Sequence, residues 1–266
     1  SEESAIVPDF DEFLNYVKIT TFNTVGTLSV YPFVKDTVCT EVFQANTSYR
    51  MQGGVINGNY LYYGMTANDI YAVIYRRNLT NGETISVTGN YGHAGDLTFN
   101  KKEDVLLVLN GTTSKTTIWK LHKDTLEQIS EHVINTPGTR IGALAYNPKN
   151  CGYVAQFSKD GTWSNYTFVL LDSEFNPIYK FEPIKNGLLL QGIDCDGKFI
   201  YALYYSESDN KNIIIVYDLY GNYRGCHKLS IPGESEFVAC YNEKNLYVGV
   251  DGSCKVYNVS RTYDWE

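Results

Sequence analysis

The sequence predicts an all-β chain folded as a five-bladed β-propeller with four-stranded blades. Three observations predict it. First, a unit recurs five times: a short apolar strand ending in Asn or Asp, a tight turn, then a second apolar strand. The anchors are Asn57, Asn100, Asn147, Asp196 and Asn242, spaced by 43, 47, 49 and 46 residues. Second, each spacing holds about four short apolar runs, and four strands in a period of 40 to 50 residues is the pattern of a propeller blade. Third, the fifth unit is one strand short, while an unassigned strand-like segment precedes the first. A ring left with a free sheet edge exposes unpaired N–H and C=O groups, so the N-terminal strand is expected to close the last blade.

Taken in order, residues 1–26 form an N-terminal arm, in which Asp9-Phe-Asp-Glu-Phe-Leu-Asn-Tyr16 is either a short helix or irregular. Residues 27–49 hold the closing strand, at 27–33 or 38–43. Blades then start near 50, 93, 140, 189 and 235, all within one domain spanning 1–266. Each opens on its anchor segment, such as Gly53-Gly-Val-Ile-Asn57 or Ala143-Leu-Ala-Tyr-Asn147. Second strands follow at 60–64, 105–109, 152–157, 199–205 and 246–250, and third strands at 70–75, 116–121, 166–171, 212–217 and 255–259. A fourth strand, as at 83–87 and 126–134, completes the first four units. These runs are short, β-branched or aromatic, and bounded by Gly, Asn or Pro, as strands are and helices are not. The 23 Tyr and 12 Phe fit the same reading.

Charge and cysteine pattern remove several function classes. Nucleic acid and anionic membrane both require clustered Lys and Arg. Here the net charge is −8 and the 22 basic residues are scattered, with no run longer than Arg76-Arg77 or Lys101-Lys102. No apolar run approaches the ~18 residues a membrane span needs, so no membrane insertion is expected. Numbering starts at Ser1, consistent with a removed signal peptide, and the expected location is secreted or cell-surface. The six cysteines lack CxxC spacing, which argues against a zinc knuckle. Cys240 and Cys254 are placed to face one another across a hairpin or to stay as buried thiols. Five Asn-x-Ser/Thr sequons, at Asn46, Asn78, Asn110, Asn165 and Asn258, arise readily by chance in a chain this rich in Asn and Thr.

Propeller geometry sorts the remaining polar residues. The segment leading into each innermost strand and the hairpin between strands two and three open on one face. Arg50, Gln52, His93, Asp96, Arg140, Gln191 and Glu236 are therefore expected around the channel mouth, with Trp163 on a hairpin tip of the same face. Convergent polar groups on an apolar scaffold mark a ligand site; polar strand ends that bind only channel water are the plainer alternative. His93 and Asp96 are residue types of a general-base pair, but three residues apart on an extended segment they point in different directions. If the protein is an enzyme, His93, Asp96 and Glu236 are its candidate catalytic residues. Asp194-Cys-Asp-Gly197 starts like a calcium loop but lacks the further oxygens and closing Glu, and reads as a turn. No nucleophile elbow, phosphate loop or His-Glu-x-x-His motif is present. No metal and no cofactor is expected.

His93-Ala-Gly-Asp-Leu-Thr-Phe-Asn100, with Met51-Gln-Gly-Gly54 and Leu190-Gln-Gly192, resembles uncharacterised five-bladed propeller domains of bacterial secreted, surface and phage-tail proteins, over residues 50–260. The Gln-Gly pairs are also faintly similar to those at the channel mouth of propeller-type glutaminyl cyclases. That family follows them with acidic residues on the next inner strands, where this chain has His93, Asp96 and Arg140. The function expected is non-catalytic recognition of a glycan or a protein by a monomer, through the channel-mouth face. The alternative is an enzyme (cyclase, lyase or hydrolase) with its active site at the central channel.

Overall fold

The computed structural model describes residues 34–46, 48–112, 115–135, 140–159, 165–184 and 188–263. The arm at 1–26, the candidate strand at 27–33 and Trp163 lie outside the described residues. What is described is all β: five four-stranded antiparallel sheets arranged in a ring.

Blade 1 comprises β2 (Arg50–Asn57), β3 (Tyr60–Thr66), β4 (Ala72–Asn78) and β5 (Thr84–Gly89). Blade 2 is β6 (Asp96–Asn100), β7 (Val105–Leu109), β8 (Lys115–His122) and β9 (Gln128–Asn135). Blade 3 is β10 (Arg140–Asn147), β11 (Gly152–Ser158), β12 (Tyr166–Leu171) and β13 (Pro177–Phe181). Blade 4 is β14 (Leu189–Cys195), β15 (Phe199–Ser206), β16 (Lys211–Asp218) and β17 (Tyr223–Leu229). Blade 5 joins β18 (Ser235–Asn242), β19 (Asn245–Val250) and β20 (Lys255–Tyr263) to β1 (Val34–Gln44), which is its outermost strand. The N-terminal strand thus closes the last blade, with Val38 opposite Ser260 and Thr40 opposite Asn258.

The unbroken apolar runs follow from this arrangement. A strand in the middle of a blade has a neighbouring blade on each face, so both of its side-chain rows are buried. On β7, Leu106 and Val108 enter the seam with blade 1, whereas Val105, Leu107 and Leu109 enter the seam with blade 3. On β15, Ile200, Ala202 and Tyr204 face blade 3, and Tyr201 and Leu203 face blade 5. One such cluster fills each seam round the ring, and most of the tyrosines stand in them.

The repeating anchor has a local cause. In three of the five units its side chain, at the end of the inner strand, accepts hydrogen bonds from backbone N–H groups two and three residues on, making an Asx turn, and Asn147 accepts the first of the two, from Lys149. Asn100 Oδ1 accepts from Lys102 (3.1 Å) and Glu103 (3.0 Å). Asp196 Oδ1 accepts from Lys198 (2.8 Å) and Phe199 (2.7 Å), and Asn242 Oδ1 from Lys244 and Asn245, both at 2.9 Å. Asp196 is therefore a turn residue, as the sequence reading has it. A second series closes the hairpin between strands three and four: Asn78 and His122 accept from N–H groups two and three residues on, Asp172 and Asp218 from those two and four residues on.

Inner strands β2, β6, β10, β14 and β18 pack each against the next, and β18 returns to β2. They approach too closely for side chains at some positions. A Cβ on Gly53 would lie 2.3 Å from Cα of Asp96, and one on Gly54 2.8 Å from the ring of Phe237. Carboxylates tie blade to blade at the same level. Asp96 accepts from its neighbour Leu97 (2.9 Å) and from Leu144 of blade 3 (3.0 Å). Asp194 repeats the device with Cys195 (2.7 Å) and Cys240 of blade 5 (2.6 Å).

Candidate functional site

A cavity of about 490 Å³ opens at the channel mouth. Every blade supplies it from the start of its inner strand: Arg50 and Gln52, His93 and Gly95, Arg140 and Gly142, Leu189 to Gln191, and Glu234 with Glu236. The hairpins between strands two and three add Asp69 and Thr112 on the same face.

Six residues singled out from sequence meet here: Arg50, Gln52, His93, Arg140, Gln191 and Glu236. Asp96 does not join them. It is 1 % exposed, and its carboxylate turns along the inside of the ring to bind blade 3, because that backbone N–H would otherwise be buried without a partner. Burial pushes its pKa well above the carboxylate range, against the hydrogen bonds from Leu144, Leu97 and Ile193. His93 and Asp96 form no pair. His93 Nδ1 instead meets Asp69 Oδ1 at 2.7 Å. Asp69 stands 24 residues away on a hairpin tip of the neighbouring blade, which the sequence reading puts on the same face without pairing it to His93.

The blade 5 wall is acidic. Carboxylate oxygens of Glu234, Glu236 and Asp251 all lie within 4.8 Å of one another. Arg50 donates from Nε to Asp251 Oδ2 at 2.8 Å, and Gln191 Nε2 donates to Glu234 Oε1 at 2.6 Å. Glu236 is 7 % exposed, and burial, then Glu234 and Asp251, raise its pKa well above the usual range, with Arg50 opposing. Gln52 is 2 % exposed and its Nε2 is buried without a hydrogen-bond partner. Burial lowers the Arg140 pKa. Period-two alternation in Glu234-Ser235-Glu236 already puts both carboxylates on one face of an extended segment; Asp251, on the β19–β20 hairpin, carries no such signal. Apart from the His93 imidazole, no aromatic side chain of the described residues lines the cavity.

The Gln-Gly pairs also acquire a reason. Gln52 and Gln191 face the cavity, and the glycine after each admits the adjoining inner strand: a Cβ on Gly192 would lie 3.0 Å from the carbonyl oxygen of Glu236.

No family model matches the sequence, and no curated protein does. Solved propeller-type structures are similar in fold. The PQQ-bound aldose sugar dehydrogenase of Streptomyces coelicolor superposes with a TM-score of 0.60 at 10 % identity, covering 87 % of this chain and 100 % of that one. A structural-genomics protein of unknown function from Bacteroides thetaiotaomicron gives 0.58 at 8 % identity, covering 85 % and 76 %. Streptogramin B lyase gives 0.44 at 10 % identity, covering 80 % and 65 %. At these identities the likeness is one of fold.

Proposed function

We propose that this propeller is a non-catalytic binding module that takes a sugar unit of a glycan into the channel-mouth cavity. The observation that carries the reading is the cavity's lining: donors and acceptors of both charge signs, converging from all five blades into a concave space of about 490 Å³. A polyhydroxylated ligand is both donor and acceptor at each hydroxyl and matches such a lining. The volume falls in the ~300–1,000 Å³ range of small-molecule sites. A protein partner is favoured less, because protein hot spots centre on buried aromatic and apolar anchors. Most exposed apolar residues stand elsewhere, such as Val38 and Val42 on β1, Ile129 and Val133 on β9, and Ile178 and Tyr179 on β13; Ile70 and Tyr71 follow Asp69 on the β3–β4 hairpin of the cavity face. The secreted or cell-surface location belongs to the same proposal, since glycans are displayed there.

A glycan array probed with folded protein tests it. Binding that drops at least about tenfold in R140A and Q191A, each change removing hydrogen bonds to the ligand, supports the module. A blank array, or binding indifferent to both changes, overturns it.

The second reading, an enzyme at the same cavity, is favoured by one observation: Glu236 and Glu234 are neighbouring carboxyl groups in the cavity, and burial first of all raises the pKa of both, that of Glu236 well above its ordinary value. Release of a modified sugar from a bound glycan, lost in E236Q, would replace the binding reading with this one.

A further inference from the structure

The cavity lining changes character around the ring. Blades 2 and 3 present His93, Thr112 and Arg140, with Gly95 and Gly142 leaving the backbone open between them. Blades 4, 5 and 1 present a different combination. Leu189 and Leu190 of β14 are the apolar side chains among the lining residues. The next inner strand, β18, packs against β14 on one side and β2 on the other, and brings Glu236 to the cavity. On β2, Gln52 lines the cavity while only 2 % exposed, and its Nε2 has no hydrogen-bond partner in the protein. A buried donor left unpaired is a standing cost that a ligand's acceptor removes. Three consecutive inner strands thus offer an apolar contact, an acceptor and an unused donor.

We propose that the channel-mouth cavity selects 2-acetamido sugars, with Gln52 as the residue that sets this preference. A hydroxyl can meet a donor or an acceptor but gives the two leucines nothing to pack on. An acetamido group uses all three: its carbonyl accepts from the Gln52 amide, its N–H donates to Glu236, and its methyl lies on Leu189 and Leu190. Glu236 serves in either ionisation state, since a protonated carboxyl keeps acceptor capacity. The ring hydroxyls then face His93 and Arg140 on the opposite arc. A site built to hydrogen-bond one group rejects the analogue that lacks it, because its buried polar atom stays unpaired. The inference rests on the binding reading above and names the ligand class for it.

The test titrates the full chain by calorimetry with N-acetylglucosamine, N-acetylgalactosamine, glucose, galactose and glucosamine, and reads the same protein on the glycan array. At least one acetamido sugar should bind about tenfold or more tightly than its hydroxyl parent and than glucosamine. The glycans bound on the array should carry an acetamido sugar, and Q52L and L189S should each weaken binding about tenfold. Q52L exchanges an unpartnered buried amide for an apolar side chain of similar size, so it remains folded, which its Tm checks. Equal binding of acetamido and parent sugars, tighter binding of glucosamine, or a preference unchanged in Q52L overturns the proposal and leaves the binding reading standing. So does an array bound only at glycans without an acetamido sugar. A blank array with no response to any of the sugars removes both.

Discussion

Asp194 sits at the centre of the ring, where burial pushes its pKa up to about 7 in spite of the hydrogen bonds from Cys240 and Cys195. An unfolded aspartate titrates near 3.9, so between these limits the folded chain holds a proton that the unfolded chain has lost. The stability this contributes is complete below pH ~4 and is lost as pH rises through 7. In D194N the group does not titrate. The stability of the parent relative to D194N should therefore fall by up to about 1.4 kcal/mol per pH unit between pH 4 and 7, as measured by urea unfolding at several pH values. A constant difference would show that Asp194 is ionised throughout. The residue scale is also where sequence is least informative about the site. Positions leading into inner strands can be read from the repeat, which is why Arg50, Gln52, His93, Arg140, Gln191 and Glu236 were accessible. Which way a side chain turns at such a position depends on the next blade's backbone, and that decides Asp96 against the cavity. Asp69 and Asp251 come from hairpin tips whose reach no periodicity encodes.

At the scale of the strand, the inner layer depends on the absence of side chains at chosen points. Gly53 faces the backbone of Asp96 and Leu97, which cannot move aside as a flexible side chain would. G53A should cost roughly 2–4 kcal/mol and reduce the protein's urea midpoint accordingly; a loss under 0.5 kcal/mol would mean that β2 and β6 are not so close. By contrast G252A, on a turn with nothing within 4 Å and a φ of +69°, should cost about 1 kcal/mol through backbone strain alone. The strands themselves were legible because both faces are apolar and the turn residues between them, Asn100 or Asp196, do a visible chemical job. Their ends were less so. β20 runs on to Tyr263, opposite Val34 of β1, because β1 is there to pair with it, and β9 starts at Gln128 because Leu126 takes a positive φ of 62° in the turn before it.

At the scale of the molecule, ring closure rests on β1. Its strand hydrogen bonds to β20 are joined by Lys255 Nζ to Glu41 Oε2 at 2.7 Å and by Thr37 Oγ1 to the Lys228 carbonyl at 3.0 Å, the latter a link to blade 4. Removing residues 1–44 leaves β20 as an open edge. That variant should self-associate in light scattering, as exposed edges do, whereas the parent is expected to remain a monomer. A truncated chain that stays monomeric with unchanged unfolding would mean that β20 needs no cover. Five blades and the closing strand were both legible, since the period and the short last unit are properties of the whole chain and survive errors at single residues.

The pairing of β1 with β20 also imposes an order in time. Lys255 and its partner Glu41 are 214 residues apart in the chain. During synthesis β1 must wait for β20, on the order of ten to forty seconds at ribosomal rates. Blades 1 to 4 each draw all their strands from consecutive sequence and can form as they emerge, but the fifth cannot. The nascent protein is therefore an open arc with an unclaimed strand at its head, and the step that turns it into a ring is the final one.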